Sequence, residues 1–90
     1  MKYVKVTWIH NLDNEPVLYY HELDDQRLER RKVVEYADGN WDKASESSFS
    51  ADTYLSPEPL PTIEEINEDN QFIAQEITKD EFERKWNNLD

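Results

Sequence analysis

Apolar and polar side chains alternate in short runs through the first half of the chain, and a period of two predicts strands. In residues 2–10, Val4, Val6 and Trp8 fall on one face and Tyr3, Lys5, Thr7 and Ile9 on the other, with β-branched residues dominating. Turn formers at 11–15 break that run, and Pro16 suits the start of a second strand over 17–23 better than the inside of one. After the polar 24–26 the alternation resumes over 28–37, with Val34 and Tyr36 on one face and Arg31, Val33 and Glu35 on the other. A hairpin with the preceding strand is the simplest pairing. The only glycine, Gly39, lies in Asp38-Gly39-Asn40, where a tight turn returns the chain into a fourth strand over 40–44.

Residues 45–60 lose the period and fill with Ser, Asp and Pro, so a long surface connection is expected, with at most a short strand near 53–55. Its length makes it a candidate functional loop. Thr62 with Glu65 forms a capping-box pattern that opens a short helix and turns Ile63 and Ile66 inward. Residues 71–77 read as a fifth strand, although Phe72-Ile73-Ala74 alternates too little to exclude helix. Thr78 and Glu81 repeat the capping box, and Phe82, Trp86 and Leu89 make an apolar stripe on a C-terminal helix. The fold class expected is α+β: a four- to five-stranded, mainly antiparallel sheet, a meander, with a short helix and a C-terminal helix packed on one face. All 90 residues form one domain, divided into a meander over 2–44, the loop over 45–60 and a helix-strand-helix unit over 61–90.

Composition narrows the function classes. Twenty-one acidic residues against 10 basic give a net charge of −11, which argues against direct nucleic-acid binding because phosphate contacts need Lys and Arg. Residues 58–90 hold ten of the acids and only three bases, Lys79, Arg84 and Lys85, so the last third could steer a basic protein partner. Cysteine is absent, which removes disulfides and thiolate chemistry. No apolar run reaches membrane-spanning length and the chain opens directly into a strand pattern, so a cytoplasmic location without membrane contact is expected.

Candidate chemistry is sparse. His10 and His21 are the only histidines, and with Arg27 they define an alternative ligand site near the strand ends, though their spacing matches no zinc or nucleophile motif. No cofactor or metal is expected. One glycine cannot build a phosphate-cradling loop, and no serine sits in a nucleophile elbow. Carboxylate pairs are too common in so acidic a chain to indicate acid–base catalysis. Arg27, Arg30, Arg31 and Lys32 are expected to pair with Glu22, Glu35 or their neighbours across the hairpin. The surface nominated for partner binding is the acidic helix, with Glu64, Glu65, Glu68 and Asp69.

The segments KVTWIH from Lys5, EPVLYYHELDDQR from Glu15, RKVVEYADG from Arg31, PTIEEI from Pro61 and ITKDEF from Ile77 resemble a family of small acidic bacterial proteins described only as uncharacterised. That resemblance implies a free-standing domain with no assigned activity, and by analogy an immunity partner of a secreted toxin. The expected function is therefore a non-catalytic protein-binding domain that neutralises a basic toxin domain. The rival expectations are a small enzyme or ligand-binding module using the two histidines, and an acidic nucleic-acid mimic.

Overall fold

A computed structural model of the chain describes residues 1–50 and 52–88. Its elements are β1 (Lys2–Trp8), β2 (Pro16–Leu23), β3 (Glu29–Tyr36), β4 (Trp41–Ser45), α1 (Ile63–Asn67), β5 (Phe72–Glu76) and α2 (Lys79–Asn88). The strands form one antiparallel sheet in the order β4-β3-β2-β1-β5. The α+β class and the meander follow the alternating pattern, and residues 72–76 are strand rather than helix. No strand forms at 53–55, where a bend at 52–53 leads into irregular chain.

Both faces of β1 are covered, Val4 and Val6 facing one apolar layer and Tyr3 the other. On one face Tyr3, Tyr20, Val33, Ile77 and the fully buried Phe82 of α2 form a core, with Trp86 packed against it. On the other, Val4, Val6, Leu23 and Ala74 pack with Ile63 and Ile66 of α1 and with Leu60 before it. The C-terminal helix therefore covers one face and the short helix the opposite face. Leu89, the last member of the expected α2 stripe, lies outside the described residues.

Both helix starts use the capping boxes read from the sequence. The Glu65 amide donates to Thr62 Oγ1 at 3.2 Å and the Thr62 amide donates back to Glu65 Oε1 at 3.2 Å. At α2 the Glu81 amide donates to Thr78 Oγ1 at 3.1 Å. Gly39 has φ +92 in the β3–β4 turn, a left-handed conformation that a side chain would strain.

Both sheet edges are guarded. At β5 the Ala74 amide donates to Asn67 Oδ1 at 2.7 Å, and Asn67 Nδ2 donates to the Ala74 carbonyl at 3.1 Å, so one side-chain amide occupies the site a sixth strand would use. The Phe72 amide is taken by the Asp69 carbonyl at 3.0 Å. At β4 the Ser45–Ser48 bridge and the Asp42 carboxylate, which accepts from the Lys43 amide at 2.8 Å, do the same work. Free edge groups template pairing with another chain, so these contacts disfavour strand addition.

Candidate functional site

Residues 46–50 and 52–60 cross the α1 face of the sheet, and discrete tethers hold them there. Ser50 Oγ donates to Asp42 Oδ2 at 3.2 Å, the Ser56 amide to Glu29 Oε1 at 2.6 Å, and the Leu60 amide to the Arg27 carbonyl at 2.9 Å. Arg27 then donates from Nε to the Leu60 carbonyl at 2.9 Å and from its terminal nitrogen to the Pro61 carbonyl at 2.8 Å. It occupies a left-handed conformation, φ 64, in the β2–β3 turn, where Asp24 Oδ1 accepts from the Gln26 and Leu28 amides. Arg27 is thus a clamp on the entry to α1.

Between this loop and the sheet lies a cleft of about 410 Å³. Tyr19, Lys32, Val34 and Tyr36 of β2 and β3 share this face and make its floor, while Asn14, Glu15 and Pro16 stand on one side and Asp52 and Thr53 on the other. An adjoining groove shares Asn14, Glu15 and Tyr36 and adds Asp13 and Asp38. From the cleft a chain of polar groups runs inward. Lys32 Nζ donates to Glu29 Oε1 at 3.3 Å, and Glu29 Oε2 lies 2.7 Å from His21 Nδ1, with Glu29 and His21 both buried. The His21 ring stacks on Tyr19 at 6.0 Å.

A second charged network lies under α2. Arg31 makes a bidentate pair with the buried Glu22 at 2.8 and 2.7 Å, meets Glu83 at 2.6 Å, and stacks on Phe82 and Trp86 at 4.9 and 5.0 Å. Tyr3 completes it by donating to Glu22 Oε2 at 3.0 Å. Of the expected hairpin pairs, Arg31 with Glu22 forms, whereas Glu35 is met by Lys85 of α2 at 2.8 Å and Arg30 by Glu46.

These partners set the carboxylate chemistry. The Arg31 hydrogen bonds hold the Glu22 carboxyl below its ordinary 4.5, with burial opposing them and Tyr3 adding to them. Burial pushes Glu29 up, but the His21 bond and charge, the Ser56 amide and Lys32 outweigh it and leave the carboxyl lowered. A depressed folded-state value contributes stability that is complete above the unfolded value and is lost as pH falls through the folded one. Urea unfolding midpoints are therefore expected to fall as pH drops below about 4.5, and less so in Glu22→Gln, which starts lower but has one fewer carboxylate to protonate. Identical pH slopes for the two proteins would contradict this assignment.

The residues nominated from sequence take up separate stations. His10 is a loop clamp: its Nδ1 accepts from the Leu12 amide at 3.0 Å, so its Nε2 carries the proton donated to the Pro16 carbonyl at 2.8 Å. His21 sits five strand positions beyond Pro16, about 16 Å at 3.3 Å per residue, and Arg27 faces α1, so the three do not converge. Among the described residues no three His, Asp or Glu side chains gather as metal ligands. Glu64, Glu65, Glu68 and Asp69 are all exposed on and beside α1. Glu65 is engaged in its capping box, and Asp69 Oδ1 accepts from the Gln71 amide at 2.9 Å. The cleft was not visible in the sequence; the Tyr19 and Tyr36 positions on adjoining strands were its one available signal.

Comparison with known proteins places the chain. Residues 2–90 match the family described as Domain of unknown function (DUF6881). The chain belongs to the DUF6881 family. No curated protein and no solved structure matches it. For this DUF6881 domain the functional reading therefore starts from the geometry of its charges. Among its described residues, none of Glu15, Asp52, Glu64, Glu65, Glu68 or Asp69 on the α1 face enters a salt bridge, whereas Arg31 and Lys85 under α2 are each matched by carboxylates. Among the described residues no helix is long and apolar enough to cross a membrane.

Proposed function

We propose that the domain is a non-catalytic protein-binding module whose partner is a basic protein, and that it serves as an immunity protein neutralising a basic bacterial toxin domain in the cytoplasm. The observation that supports this reading is the segregation of charge. Arg31 and Lys85 are paired beneath α2 and Lys32 is paired with Glu29, while among the described residues Glu64, Glu65, Glu68 and Asp69 on the α1 face have no cationic partner. Such a surface accelerates encounter with a basic partner and disfavours acidic ones.

Two further features favour surface docking. The guarded edges leave little for strand addition, and the loop beside the acids exposes Phe49 and Tyr54 at 69% and 54%, side chains of the kind that anchor interfaces. A growth assay tests the toxin reading. Co-expression with a basic toxin encoded beside this chain should restore growth, and Glu64→Gln with Glu68→Gln should weaken that protection while leaving the fold intact. Protection that survives removal of the acids, or no protection from such a toxin, would contradict the proposal.

A further inference from the structure

We propose that the cleft floored by Tyr19 and Tyr36 is the seat of an arginine side chain from the basic partner. This rests on the protein-binding reading above and adds to it the residue type that is recognised and the place where it goes.

Charge selects a cation. The cleft and its adjoining groove carry Asp13, Glu15, Asp38 and Asp52, and among the described residues the only base lining them, Lys32, is already held by Glu29. The two phenols sense the same field. Tyr36 is pushed above its ordinary 10.0 by burial and then by the charges of Asp42 and Asp52, and Tyr19 by burial and then by Glu15. An anionic ligand would meet that negative field unfavourably.

Geometry selects a guanidinium over an ammonium. Thr53 is only 2% exposed, and its hydroxyl has no hydrogen-bond partner. It lies near enough to the Tyr36 phenol to offset part of that rise, without forming a bond of good geometry. A planar guanidinium has five donors and a face that stacks on aromatic rings, so it can engage Glu15 and Asp52 together while lying against tyrosine. The chain already builds this arrangement once. On the opposite face its own Arg31 rests on Phe82 and Trp86 between the carboxylates of Glu22 and Glu83. The cleft repeats the ingredients, two aromatic residues and two carboxylates, without a resident arginine. Its volume of about 410 Å³ suits a single side chain or small ligand.

The test is a titration of the ¹⁵N-labelled full chain with argininamide at low salt, followed through the backbone amides. Saturable shifts are expected at Asn14, Tyr36 and Thr53, with a dissociation constant on the order of millimolar. Glu15→Gln with Asp52→Asn should weaken it by about tenfold, and the neutral isostere citrullinamide should bind at least about tenfold more weakly than argininamide. Glu64→Gln with Glu68→Gln should leave it unchanged. Shifts spread over all acidic surfaces, equal binding of citrullinamide, or no shift at the cleft would overturn the proposal. Because the titration needs no partner, it can fail while protein capture succeeds, and the reverse.

Discussion

Arg31→Ala should destabilise the domain by about 3–5 kcal/mol, the usual consequence of stranding one member of a buried ion pair. Glu22 is 7% exposed and would keep only the Tyr3 hydroxyl as a partner, while Phe82 and Trp86 would lose the guanidinium stacked on them. A chain of this length has roughly 5–13 kcal/mol of total stability, so the loss is a large fraction of it. Arg31→Lys restores the charge without the bidentate fork and should recover only part of the loss. Urea unfolding monitored by tryptophan fluorescence measures all three proteins. A loss under about 1 kcal/mol would mean that Glu22 finds another partner or water.

The second large effect lies in the same layer and has a different origin. Phe82→Ala removes a ring with 0% exposure from the centre of the α2 face, where it meets Tyr3 at 5.4 Å and Trp86 at 6.3 Å. The lost transfer energy and the residual cavity together cost about 3–5 kcal/mol. Because α2 is held to the sheet largely through Phe82, Trp86 and the Arg31 and Lys85 pairs, detachment of the helix should precede loss of the sheet. Hydrogen exchange in Phe82→Ala should show α2 amides losing protection while those of β1 and β2 retain theirs. Uniform loss across the sheet would show instead that α2 and the sheet unfold as one unit.

These two sites also show what the sequence can reveal. The strands were legible because a period of two persists through β1 to β4, and the helix starts because Thr62 with Glu65 and Thr78 with Glu81 satisfy backbone amides locally. Pairing of Arg31 with Glu22 was legible because a hairpin places them on one face. What escaped was set by register and by aperiodic contacts. Bulges between Pro16 and Leu18 and between Glu22 and Leu23 decide which residues face each other, and alternation does not encode them. The loop path over the α1 face depends on hydrogen bonds that join Ser50 to Asp42, Ser56 to Glu29 and Leu60 to Arg27, residues far apart in the chain. The cleft inherits both unknowns, since its residues come from the β1–β2 turn, two strands and the loop. Arg27, a ligand candidate by sequence, is a structural clamp for the same reason.

The α1 face is thus a surface of unmatched carboxylates on a scaffold whose edges are closed and whose basic residues are largely engaged. The most direct measurement is affinity capture of the tagged domain from its native cells at low and moderate salt, with identification of the retained protein and repetition with Glu64→Gln and Glu68→Gln. One basic protein, retained at low salt, released as salt rises and bound less by the neutralised variant, is the expected result. A partner that is acidic, or whose retention ignores both salt and the lost carboxylates, would contradict recognition through the α1 face.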